Sequence, residues 1–142
     1  MRRLAALTLL GFLALAGVAL AVLPTLGAHY AGHSANGSKV TFVITKHRPR
    51  KLTKLNFGKQ TGHCLQGEPA ETKTLKEPGS IAIHKDGTFS GSLNRFGFPD
   101  TEEGGIFVTG KFYAHGIAKG TVRYEDRGCT GLPKVHWKAK KQ

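Results

Sequence analysis

The side chains able to do chemistry in this 142-residue chain are seven histidines, nine acids, two cysteines and twenty-one lysines and arginines. For acid or base work the candidates are His47, His63, His84, His115 and His136. A serine nucleophile needs a positioned base and an oxyanion hole. Ser80, Ser90 and Ser92 lie in or beside stretches that read as strands, with no nucleophile-elbow sequence around them. Glycoside hydrolysis needs two facing carboxylates. Glu102 with Glu103, and Glu125 with Asp126, are chain neighbours, and neighbours on an extended chain point to opposite faces. No glycine-rich phosphate loop is present. The reading is therefore non-catalytic. For metals, His29 and His33 are four apart but sit in a Gly-rich stretch, and two histidines are too few for a tight zinc site. Asp100, Glu102 and Glu103 lack EF-hand spacing and read as a solvated acidic loop. No metal and no cofactor are assigned.

The cations are the stronger signal. The formal net charge is +12 and the isoelectric point about 10.1. Lys46, Arg48, Arg50 and Lys51 fall within six residues, and Lys134, His136, Lys138, Lys140 and Lys141 crowd the C-terminal end. A basic patch concentrates anionic partners by screened attraction. These nine residues are the candidate polyanion site, and the expected partner is an anionic cell-wall polymer or a membrane surface. Sequence-specific nucleic-acid reading has no support, since no recognition helix and no exposed aromatic run is apparent. The competing account is that the charge keeps the protein soluble and lysines guard edge strands, which leaves a purely structural extracellular module. A third account is a carrier of small apolar ligands inside a barrel, although Phe42, Phe57, Phe89, Phe112 and Trp137 suffice to fill a small interior.

The location of these groups follows from the first residues. Arg2-Arg3 precede an apolar run from Leu4 to Leu23, the pattern of a secretion signal. Ala19 and Ala21 offer a cut before Val22, and Ala28 is a second candidate. An uncleaved anchor is the rival reading, weakened by Gly11, Gly17 and Pro24. Leu4 and Ala5 make a poor twin-arginine match. Residues 1–28 are thus a signal peptide, cut near 21 or 28, and the protein is expected to be secreted or associated with the cell envelope. Residues 29–38, rich in Gly, Ala, Ser and His, read as a flexible linker, with glycosylation spacing at Asn36-Gly37-Ser38. Residues 39–142 are one β domain. In an exported chain Cys64 and Cys129 are expected to pair. That bond closes a loop of about 65 residues, worth about 4 kcal/mol in the chain-entropy model.

The elements that must position the cations are strands. No segment keeps a helical period. Val40, Phe42 and Ile44 alternate with polar neighbours, and Leu55 and Phe57 share a face from which Leu52 is out of parity, which predicts a bulge or a strand start. Gly58 to Cys64 reads as a further short strand, and Gln66 to Gly79 as a loop. Ser80 to His84 and Thr88 to Leu93 flank the hairpin signal Asp86-Gly87. Ile106, Val108, Gly110 and Phe112 face one way, with Phe107, Thr109, Lys111 and Tyr113 opposite. Ala118, Gly120, Val122 and Tyr124 face inward after a turn at Ala114-His115-Gly116, and Val135, Trp137 and Ala139 do so on the last strand. The expected fold is all-β: a single antiparallel meander of about seven or eight strands, closed as a sandwich or a small barrel. Inward Gly91, Gly110 and Gly120 are expected to make room for large side chains.

A set of short motifs recurs in order: Phe89-Ser90-Gly91, Val108-Thr109-Gly110-Lys111-Phe112, Ala118-Lys119-Gly120-Thr121-Val122-Arg123, Gly128-Cys129-Thr130-Gly131 and Val135-His136-Trp137-Lys138-Ala139. The set resembles small secreted β-domain proteins of actinobacteria over about Val40 to Lys140. The resemblance implies the same all-β architecture and brings no catalytic residues with it. The chain departs from that pattern between Phe98 and Gly105, and at Leu132-Pro133.

Overall fold

The computed structural model describes residues 22–62, 71–77, 79–93, 105–125 and 134–142. The leader 1–21, Cys64 and Cys129, and the acidic loop with Asp100, Glu102 and Glu103 lie outside the described residues. Among the described residues there are nine strands: β1 His29–Ser34, β2 Lys39–Ile44, β3 Lys51–Gly62, β4 Glu71–Glu77, β5 Ile81–Ala82, β6 Thr88–Leu93, β7 Gly105–Tyr113, β8 Ile117–Glu125 and β9 Val135–Lys141. They form a single antiparallel sheet in the order β4-β3-β2-β1-β9-β8-β7-β6, curled into a half-barrel. Among the described residues there is one sheet rather than the two of a sandwich. The short β5 pairs with β3, and Ile83 just beyond it bridges Phe89 of β6.

Alternation accounts for most of this. Val40, Phe42 and Ile44 of β2, Val108 and Phe112 of β7, Ala118, Val122 and Tyr124 of β8, and Trp137 and Ala139 of β9 are all buried. Inside the curl the rings of Tyr30, Phe42, Phe57, Phe89, Phe112 and Trp137 pack together at centroid separations of 4.9–6.3 Å, Tyr30 stacked on Phe42 and Phe89 on Trp137, the other pairs edge-on or tilted. Such pairs add to the burial of their area. The parity break at Leu52 is a bulge: Thr41 pairs with Asn56 but Val43 pairs with Thr53, and Lys54 takes a positive φ of 51°. Leu52 and Leu55 are thereby both buried. Two inward glycines are sterically required. A Cβ on Gly110 would strike the Phe89 ring, and one on Gly120 would fall on the Thr109 carbonyl and within 2.7 Å of Trp137.

Three expectations are corrected. His29–Ser34 is a strand, paired with both β2 and β9, where the composition reads as a linker. It pairs because Gly32 has no Cβ to strike the Lys138 carbonyl, while Tyr30 and Ser34 turn inward on either side. The stretch after Gly58 does not start a new strand. β3 runs on through it, with Gly58 at φ 64° absorbing a second register shift. Residues 71–77 are a strand against β3 rather than loop. Its one buried apolar side chain, Leu75, leaves no alternation to read.

Candidate anion-binding surface

Register decides where the cations stand. Tyr30 pairs with Phe42 on one side and Lys141 on the other; Lys140 pairs with Ile117, and Ile117 with Tyr113. The Gly87 carbonyl accepts from the Phe112 amide at 3.0 Å. The hairpins at 45–50 and 84–87, the 3-10 turn Ala114–Gly116 and the C-terminal end of β9 therefore meet at one pole of the half-barrel. Lys46, Arg48, Lys85, Lys140 and Lys141 are exposed there, with His47, His84 and His115. The two clusters expected from the sequence, around Lys46 to Lys51 and at Lys140 and Lys141, are thus brought together. Arg50 and Lys51 are half-buried.

Residues 22–28 cross this same pole as a strap. The Pro24 carbonyl accepts from Arg50 Nε at 2.9 Å, the Gly27 amide donates to Thr45 O at 3.0 Å, and the Ile44 amide donates to Ala28 O at 2.9 Å. Pro24 is buried, and Gly87 abuts the Val22 carbonyl. Arg50 therefore holds the strap as well as adding charge. Asp86 is the acid of the turn at 84–87. Its carboxyl sits below the ordinary carboxylate range because the Thr88 hydroxyl and then the Thr88 amide donate to it, with a smaller contribution from nearby His84.

The outer face carries a second arrangement, which the nine expected residues only touch. Lys111 pairs with Lys119, Lys119 with Lys138, Lys138 with His33, and His33 with Lys39. All five positions point outward, opposite the buried parity of their strands. Adjacent strands lie about 4.8 Å apart, so five strands carry a row of four lysines and one histidine about 19 Å long, perpendicular to the chain direction. Among the described residues no acid pairs with any of the five. Lys119 Nζ lies 5.4 Å from the centre of the Tyr113 ring. Sequence patterning could find the hairpin part of this row, since Lys111 and Lys119 are equidistant from His115. Its extension to His33 and Lys39 depends on β1 lying between β9 and β2.

The remaining expected residues lie elsewhere on this face. Lys138 is in the row and Lys140 one step poleward, while His136 pairs with Thr121 on the other side. Lys134 edges a hollow of about 400 Å³ with Ser90, Ser92, Thr109, Thr121 and Arg123. The guanidinium of Arg123 lies 4.8 Å from the Phe107 ring centre and pairs with Glu125 at 2.7 Å. Three of the nine, Lys134, His136 and Lys138, thus stand away from the basic pole. No group of three or more metal-ligating side chains gathers among the described residues. Compared with protein-family models, curated proteins and solved structures, the chain matches none.

Proposed function

We propose that this chain is a secreted or envelope-associated, non-catalytic module that binds an anionic cell-envelope polymer across its outer face. The observation that carries the reading is the row Lys111, Lys119, Lys138, His33 and Lys39. Like charges set directly opposite each other on a sheet are destabilising. Lys111, Lys119 and Lys138 repeat the arrangement over three consecutive strands, which opposes the fold unless an anion relieves it. Edge protection does not account for the row, because β7, β8, β9, β1 and β2 are all interior strands of the sheet, and lysines guard edges. A linear polyanion laid across the strands meets the lysines of β7, β8 and β9 about every 4.8 Å, then Lys39 on β2 beyond His33. The basic pole, reached through Lys138 and Lys140, extends the surface. The aromatic packing inside the curl favours this reading over a carrier of apolar ligands.

The test is a titration of the purified chain with teichoic acid and with a neutral glycan of similar length, from about 50 mM to 500 mM salt. Screening shortens the electrostatic reach from more than 10 Å to less than 5 Å over that range. The polymer is expected to bind at low salt, to weaken at least tenfold across the range, and to weaken further in the variant K111Q/K138Q. Equal binding of the neutral glycan, or affinity indifferent to salt, removes the reading.

A further inference from the structure

Two large apolar side chains stay exposed among the described residues, Leu23 at 42% and Tyr113 at 43%. Both line the same hollow of about 460 Å³ at the basic pole. Its other walls include His115, Lys140 and Lys141, and Tyr30, otherwise buried, reaches it. No acid contributes to the lining. The volume falls within the range of small-molecule sites, which pair apolar walls with a few polar groups that fix orientation.

The two halves of the lining ask for different things from a ligand. The ring of Tyr113 and the side chain of Leu23 offer flat apolar surface. Lys140 and Lys141 offer donors and positive charge, and the His115 imidazole a further hydrogen-bonding group. An inorganic anion uses only the second half, and a neutral ring only the first. The hollow also adjoins the cationic row: Lys119, a member of the row, places its ammonium at the Tyr113 ring. Lys140 stands two residues beyond Lys138 on β9.

His115 adds a second sign. It holds φ 62° and ψ 27°, a left-handed conformation that most residues avoid, beside Gly116 at φ 68°. Strained backbone of this kind clusters at ligand sites. Glycine would fit the turn with less strain, yet the position carries an imidazole on the wall of the hollow.

We propose that this polar hollow takes one anionic sugar unit, a saturated ring bearing a phosphate or a carboxylate, with the ring against Tyr113 and Leu23 and the anion against Lys140, Lys141 and His115. The unit is the end residue of the polymer whose chain lies on the lysine row, so the inference rests on the proposed function and sharpens it. One wall is the strap, so the hollow exists only in a chain that keeps residues 22–25.

The experiment is an NMR titration of the isotope-labelled chain with glucose 1-phosphate and with glucuronate, against glucose and inorganic phosphate alone. The two anionic sugars are expected to shift resonances of Tyr113, His115 and Lys140, and to bind at least tenfold more tightly than glucose or phosphate. Tyr113→Ala is expected to lower that affinity about tenfold while the salt-dependent binding of polymer persists. K111Q/K138Q is expected to do the reverse. Phosphate binding as well as the sugar phosphate, shifts confined to other surfaces, or binding to vesicles of anionic lipid with none to the sugars overturns the proposal. If the sugars bind in the hollow and teichoic acid does not bind the row, the hollow stands and the polymer reading falls.

Discussion

At the scale of single residues, His115 separates stability from binding. A non-glycine residue in the left-handed region costs about 1 kcal/mol, and His115 has no buried contact to offset it. His115→Gly is therefore expected to raise stability by about 0.5–1 kcal/mol in urea unfolding, and to weaken glucose 1-phosphate binding. A turn that served only to join β7 to β8 predicts the gain in stability with no change in binding. The position of the turn at Ala114-His115-Gly116 was legible from the alternation on either side. Its left-handed histidine was not, because a histidine in a turn reads as an ordinary polar residue. The parity break at Leu52 was legible for the opposite reason: an apolar side chain on the wrong face needs an extra residue to bury it. The bulge at Lys54 supplies that residue.

At the scale of elements, the lysine row is a measurable conflict within the fold. Lys138 stands between Lys119 and His33 in register. Replacing it with glutamine keeps most of the stem and removes one repulsive centre, so Lys138→Gln is expected to stabilise the chain by about 0.5 kcal/mol at low ionic strength. The gain should shrink toward zero at 1 M salt, where the screening length is about 3 Å. Thermal unfolding at several salt concentrations checks both statements, and a loss of stability at low salt refutes the conflict. The strands that bear Lys111, Lys119 and Lys138 were legible from alternation. β1 was not, because its inward positions hold Tyr30, Gly32 and Ser34, a pattern without an apolar stripe. Gly32, whose type alone suggests flexibility, is a close backbone approach in the structure. Without β1 between β9 and β2, nothing in the sequence joins His33 and Lys39 to Lys138.

At the scale of the whole molecule, the half-barrel is polar in charge. Lys46, Arg48, Lys85, Lys140 and Lys141 gather at one end, with Asp86 as the acid of the 84–87 turn there. Glu125 stands where β8 ends, at the other, paired with Arg123. The sequence showed two basic clusters nearly ninety residues apart. That they share a pole follows from β1 lying between β2 and β9, a long-range pairing that local patterns do not contain. An uneven charge distribution orients a protein before contact, so the basic pole and the adjoining face should lead the approach to an anionic surface.

The strap gives the chain's maturation a structural constraint. Residues 22–28 are tied down through Pro24, Gly27 and Ala28, and a protease that cut after Ala28 would discard a wall of the hollow and the partner of Arg50. Under the proposed secretion, the mature chain is accordingly expected to begin at Val22, which intact-mass measurement reads directly; a chain beginning at His29 refutes this. A new N-terminus at Val22 would place an α-ammonium beside the Gly87 turn, whose neighbour Asp86 holds a carboxylate. The choice of peptide bond, Ala21–Val22 rather than Ala28–His29, would thus decide whether the released chain keeps its ligand pocket.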